Sequence, residues 1–203
     1  MVVIVDYGMG NLNSIKNMLK KIGHSSIISS EVEEIEKAGK VILPGVGSFD
    51  AAMMNIKRRN LFDVLNYKAS DEKVPLLGIC LGMQLLTNSS EEGEEKGFGW
   101  INADTIKFEN KNGEILKVPH MGWNRIKFDP SSLLFQGLDE ATKFYFVHSY
   151  YVKCHSQKNS LAKTQYGLDF DSIINNDNIY GTQFHPEKSH KYGMQLLKNF
   201  MNL

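Results

Sequence analysis

Apolar positions follow two rhythms along the first half of this chain. Val2-Val3-Ile4-Val5 is a β-branched run, and Leu12, Ile15, Leu19 and Ile22 then recur at helical spacing until Gly23 supplies a stop. Ser26 to Ser29 predicts a second strand and Ile35 a short helix, while Val41-Ile42-Leu43-Pro44 predicts a third strand running into a glycine-rich turn. A helix is expected from about Phe49 to Tyr67. Pro75-Leu76-Leu77-Gly78-Ile79 is a continuous apolar strand, after which helical periodicity resumes from Leu81 to Thr87. Strands alternating with helices predict a mainly parallel sheet with helices on both faces, an α/β fold.

From Phe98 to Phe184 the pattern changes to short strands separated by Gly, Asn, Asp and Pro turns. Candidate strands are Trp100 to Phe108, Trp123 to Phe128, Lys143 to Cys154, Leu161 to Tyr166, Asp171 to Ile174 and Ile179 to Phe184. A closing helix is expected from Gly193 to Phe200. No repeat, low-complexity tract or linker interrupts the chain, so residues 1–203 read as one domain. The acidic stretch Glu91-Glu92-Gly93-Glu94-Glu95 reads as a solvated loop.

Charge narrows the partners. Lys plus Arg number 23 and Asp plus Glu also 23, and without a basic stripe the sequence favours neither nucleic acid nor an anionic membrane. The N-terminal apolar run is too short for a signal segment and lacks a basic stretch before it. Two cysteines, Cys80 and Cys154, argue against a disulfide framework and for a reducing compartment. The expectation is a cytoplasmic protein.

The candidate chemistry lies in three segments. Gly78-Ile79-Cys80-Leu81-Gly82 has the form of a nucleophile elbow, with a buried strand turning into a helix and flanking glycines relieving the strained turn. There the helix start favours an anion at Cys80, and the Leu81 amide points to where an oxyanion would form. A buried structural cysteine between packing glycines fits this segment alone equally well. His185-Pro186-Glu187, at the end of a predicted strand, offers a base with a carboxylate two residues on to orient it; alone, it would pass for a surface turn. Pro44-Gly45-Val46-Gly47 is a plain turn unless Cys80 is a nucleophile, in which case the Val46 region is the best source of a second oxyanion donor.

In this order and over essentially the whole chain, these segments resemble the class I (triad) glutamine amidotransferases. Together with Met83-Gln84-Leu85-Leu86 and Pro119-His120-Met121-Gly122-Trp123-Asn124, they look like the glutaminase subunits of imidazole glycerol phosphate synthases. The resemblance implies a flavodoxin-like fold with Cys80 as nucleophile, His185 as general base and acid, and Glu187 as orienter. It further implies a glutamine site lined by Gly47, Gln84, Ser149 and Tyr150, and no cofactor. The implied partner is a (β/α)8 cyclase forming a heterodimer and using the released ammonia. Met9, Trp123, Asn124 and Lys188 match positions that face this partner, although Met9 stands where some members have proline. A barrel of that kind typically takes about 250 residues, so the acceptor chemistry is expected on a separate chain.

Other features carry less. Asn13 occupies the third glycine position after Gly8-Met9-Gly10, which speaks against a dinucleotide loop. Cys154, without an oriented base nearby, reads as packing, as do Met18, Met53, Met54 and Met83; Trp123 could equally anchor the core. His24, His120, His155 and His190 have no metal-ligand spacing, and no metal is assigned. A stand-alone cysteine hydrolase would often have His where Leu81 stands and would leave His185-Pro186-Glu187 unexplained. A non-catalytic subunit would not need all three residues. A paralogous glutaminase serving a sugar-modifying amidotransferase in surface polysaccharide synthesis remains an alternative, suggested by Lys96-Gly97-Phe98-Gly99-Trp100-Ile101.

Overall fold

The structure, a computed structural model, describes residues 1–109 and 116–203. In chain order the elements are β1 (Val2–Val5), α1 (Leu12–Lys21), β2 (Ser26–Ser29), α2 (Val32–Glu36), β3 (Lys40–Gly45), α3 (Phe49–Arg58), α4 (Leu61–Asn66), β4 (Leu76–Cys80) and α5 (Leu81–Leu85). There follow β5 (Ser89–Ser90), β6 (Ala103–Lys107), β7 (His120–Arg125), β8 (Lys127–Phe128), β9 (Lys143–His148), β10 (Tyr150–Cys154), β11 (Ser160–Tyr166), β12 (Leu168–Asn176), β13 (Ile179–Thr182) and α6 (His190–Met201).

One large sheet runs β2-β1-β3-β4-β13-β12-β10-β6-β5, with β11 pairing both β12 and β8. The five strands from β2 to β13 are mutually parallel; β12 runs against them and β10, antiparallel to β12, runs with them again. Two apolar clusters show that both faces of the parallel part are covered. Val3, Val5, Leu43 and Met83 belong to one, and Val2, Ile4, Ile42 and Leu77 to the other, as the alternation of side chains along a strand requires. Ile15 and Leu19 bury the apolar side of α1, and Phe49, Ala52, Met53 and Ile56 that of α3.

Several sequence expectations need correction. The helix expected from Phe49 to Tyr67 is two helices, because Asn60 takes a left-handed conformation (φ 58°) that ends α3 and starts α4; asparagine is among the few residues that enter it at modest cost. Lys143 to Cys154 is not one strand. It bends at Ser149, sending β9 into a separate ribbon with β7 while β10 continues in the main sheet. Trp123 to Phe128 is likewise divided at Ile126, and the strand expected from Trp100 begins only at Ala103. Met54 is 38% exposed and Trp123 42% exposed, so neither fills the core.

The tightest backbone packing lies around β4 and α5. A Cβ on Gly82 would lie 1.8 Å from the Leu43 carbonyl oxygen, and one on Gly78 would lie 2.6 Å from the Gly82 oxygen. By contrast, a Cβ on Gly23 meets nothing within 4 Å, though φ is +89° there. Gly82→Ala is therefore expected to cost about 3 kcal/mol or more by overpacking, and Gly23→Ala only about 1–2 kcal/mol of backbone strain. Denaturant midpoints of the two variants check this; a smaller loss at Gly82 than at Gly23 would contradict it.

Candidate active site

The site forms along the carboxyl ends of three adjacent parallel strands, β3, β4 and β13, where open α/β sheets commonly bind ligands. Gly45 ends β3 opposite Cys80 at the end of β4. Cys80 itself has φ 55° and ψ −110°, a conformation L-residues rarely adopt. It leads directly into α5, whose first amide, Leu81 N–H, has no acceptor within the helix. The thiol is buried to 7% exposure, with the Val147 oxygen and Gln183 Nε2 each 3.9 Å from sulfur.

β13 delivers the histidine. His185 and Glu187 are both buried, and His185 Nδ1 lies 2.8 Å from Glu187 Oε1. The turn that holds them is stitched to β9: His185 N–H donates to the Tyr145 oxygen, Tyr145 N–H donates to Ser189 Oγ, and that hydroxyl donates to the His185 oxygen. Nε2 is a buried nitrogen with no hydrogen-bond partner among the described residues. Burial alone would disfavour the imidazolium, but Cys80 and Glu187 together outweigh it and raise the His185 pKa. The geometry brings together a thiol, an imidazole held by a carboxylate, and the amide at the start of α5.

A cavity of about 430 Å³ opens over Cys80. Val46, Gly47, Leu81, Gln84, Ser149, Tyr150 and Lys188 all line it, so the triad, oxyanion and substrate candidates converge, together with Lys188. Gln84 Nε2 donates to the Tyr150 oxygen and to Gln183 Oε1, both at 3.2 Å. Gly47 has φ +111°, and a Cβ there would lie 2.5 Å from the Met9 methyl carbon. Met9 therefore sits half-buried against the Gly47 loop. Trp123 and Asn124 lie outside the cavity, on β7.

Two cavity or near-cavity residues escaped the sequence reading. Glu92 belongs to the acidic stretch expected to be a solvated loop, yet its Oε2 accepts from Phe49 N–H at the start of α3 and its side chain reaches the cavity. Asp50 in turn accepts from the Glu94 and Glu95 amides, and Glu95 pairs with Lys57. The stretch is a clamp on the start of α3, where carboxylates meet unpaired amides. Gln183, wholly buried between Gln84 and Cys80, was signalled only by being polar beside His185 in an apolar strand end.

The glutamine amidotransferase class-I family profile matches residues 3–203. The chain belongs to the class-I glutamine amidotransferase family. It is 59% identical over 201 residues, 99% of this chain and 98% of the other, to "Imidazole glycerol phosphate synthase subunit HisH 2" of Methanococcus maripaludis. A Pseudomonas aeruginosa protein of the same description is 46% identical over the full length of both chains. The fold is shared with a crystal structure of a glutamine amidotransferase at TM-score 0.77 and 19% identity, covering 100% of this chain and 98% of that one. The crystal structure of a glutamine amidotransferase from Thermotoga maritima aligns at TM-score 0.68 and 14% identity, covering 99% of this chain and 96% of that one. The enzyme class is that of the family, a glutamine amidotransferase.

Cys154 belongs elsewhere. Its backbone N–H donates to buried Asp171, and burial followed by the Asp171 charge pushes its thiol far up. The carboxylate that stands beside it orients no base and suppresses the thiolate, in keeping with the packing role read from the sequence. Because the Cys154 thiolate is suppressed, iodoacetamide at neutral pH is expected to alkylate Cys80 roughly tenfold faster than Cys154, or more. Tryptic mapping reads the ratio; equal rates would contradict the distinction.

Proposed function

We propose that this chain is the glutaminase subunit of an imidazole glycerol phosphate synthase, hydrolysing glutamine and passing ammonia to a cyclase partner in histidine biosynthesis. The observation that carries this reading is the 59% identity along essentially the full length of a subunit so described. In the proposed mechanism, the Cys80 thiol gives its proton to His185 Nε2 and the sulfur attacks the carboxamide carbon of glutamine. The Leu81 amide and an amide at Val46 meet the oxyanion, with the backbone of the Gly45-Val46-Gly47 segment turning to offer the second donor. The C–N bond breaks as the His185 imidazolium protonates the leaving nitrogen, giving ammonia and a γ-glutamyl thioester. Water then attacks the thioester while His185 takes its proton, releasing glutamate and restoring the thiol.

Glu187 orients His185. Gly47, Gln84, Ser149 and Tyr150 hold glutamine, and Glu92, a carboxylate on the cavity wall, suits its α-ammonium group. The partner, a (β/α)8 protein, docks on the face bearing Trp123 and Lys188, with Met9 and Asn124 nearby. Ammonia leaves through that face without meeting bulk water. We place the complex in the cytoplasm; among the described residues no helix is long and apolar enough to cross a membrane.

One observation favours a second reading. The relatives from M. maripaludis and P. aeruginosa are both numbered 2, and a second copy is free to serve another acceptor. On that reading the same glutaminase feeds a sugar-modifying amidotransferase.

Glutamate production by the chain alone and with each candidate partner separates the two. The isolated chain is expected to be slow, and the correct partner with its acceptor to raise kcat about 100- to 1,000-fold, the worth of one oxyanion donor. Stimulation by the sugar-modifying partner alone would overturn the first reading, and full activity without any partner would remove the gating. Within the active complex, Cys80→Ala should abolish turnover, and His185→Ala should cost roughly 100-fold more than Glu187→Ala. Wild-type turnover by His185→Ala would refute the triad.

A further inference from the structure

β7 and β9 pair from His120↔His148 to Arg125↔Lys143 and stand apart from the main sheet. Along β7, Met121, Trp123 and Arg125 are exposed, whereas His120 is buried and Asn124 half-buried. The His120 ring stacks between Phe146 and Tyr166, at 4.8 and 4.0 Å. A hydrogen-bonded chain crosses the ribbon from Asn124 to the cavity wall. Asn124 Nδ2 lies 3.3 Å from His120 Nε2, His120 Nδ1 2.9 Å from His148 Nε2, and His148 Nδ1 2.7 Å from the Tyr150 oxygen.

The direction of each bond follows from its ends. A carbonyl oxygen only accepts, so His148 carries a proton on Nδ1. Asn124 Nδ2 also donates to the Gln165 oxygen while its Oδ1 accepts from Arg125 N–H, which fixes the amide as a donor toward His120. One proton on Nδ1 of each ring satisfies every link. A second proton on either ring would set two N–H groups against each other. Burial works in the same sense, holding His120 down at about 4 and His148 at about 3, the latter helped by the nearby His120 and His185 against the opposing Tyr150 bond. The chain ends where it matters, because the Tyr150 oxygen also receives Gln84 and the Ser149–Tyr150 corner lines the cavity over Cys80.

We propose that His148 and His120 are positioning residues for glutamine. As a neutral, Nδ1-protonated pair they hold the Ser149–Tyr150 corner in place and tie it to the strand whose opposite side carries exposed Met121 and Trp123. A partner that presses on those two side chains moves the same strand that the corner hangs from. The inference rests on the cavity being the glutamine site, as proposed above.

Two measurements test it, and the first is independent of activity. In the full chain labelled with ¹⁵N-histidine, NMR at neutral pH is expected to show His120 and His148 both neutral with the proton on Nδ1. An Nε2-protonated ring or an imidazolium at either position overturns the assignment. The second compares wild type, His120→Asn and His120→Phe in glutamine hydrolysis with the cyclase partner. Asparagine keeps a donor near the place of Nδ1, and phenylalanine keeps the stacked ring without it. His120→Phe should raise KM for glutamine on the order of tenfold, as loss of a buried donor implies, with a smaller change in kcat, and His120→Asn should recover most of that loss. Unchanged KM in both variants, or equal losses in both at an unaltered denaturation midpoint, overturns the positioning role. Absence of glutamine turnover by the wild type would instead remove the reading of the cavity, and the inference with it.

Discussion

At the end of β4 the chain must reverse from strand to helix within a single residue, and the space for this is made by what is missing. Gly78 and Gly82 lie so close to each other and to the Leu43 backbone that no side chain fits on either. Cys80 between them accepts φ 55°, a strain the surrounding packing over-determines. Everything chemical follows from this crowding. The sulfur is lifted to the carboxyl edge of the sheet, the Leu81 amide beside it has no acceptor within α5, and β3 and β13 on either side bring Gly45 and the His185 turn to the same edge.

The parallel half of the sheet makes that edge rigid. β1, β3 and β4 are buried on both faces by two separate apolar clusters, so the strand ends cannot shift independently. Tyr7, buried in one of these clusters, donates its hydroxyl to the Pro44 oxygen at 2.5 Å and fixes the start of the Gly45-Val46-Gly47 segment. Beyond Gly45, which is still paired with Cys80, the chain is less enclosed: Val46 is exposed and Gly47 adopts a glycine conformation. On the function proposed above, a packed thiol beside an exposed loop suits partner control, since a peptide that can turn is a two-state element a docked partner can bias.

Much of this was legible in the sequence because local rules and chemistry coincide there. Gly78, Gly82 and the apolar run before Cys80 suggest an elbow, and together with it His185-Pro186-Glu187 stops looking like a plain surface turn. What could not be read depends on distant contacts. Nothing local says that Ser149 bends the chain from one sheet to another, since Lys143 to Cys154 is a continuous strand-like run. Asn60 broke a helix that periodicity would have continued. The acidic stretch from Glu91 to Glu95 looked solvated because its partners, the Phe49 amide and the Asp50 carboxylate at the start of α3, lie some forty residues away in sequence. The His120–His148 pair is likewise visible only once β7 and β9 are set side by side.

The central claim, that Cys80 is the nucleophile presented by this elbow, is tested most directly by trapping the acyl enzyme. The chain is incubated with glutamine, quenched in acid during turnover, digested and mapped by mass spectrometry. The account predicts a γ-glutamyl adduct on the peptide bearing Cys80, lost on treatment with hydroxylamine as a thioester should be and absent from Cys80→Ala. An adduct on Cys154, or glutamate production by the Cys80→Ala chain at the wild-type rate, would contradict it.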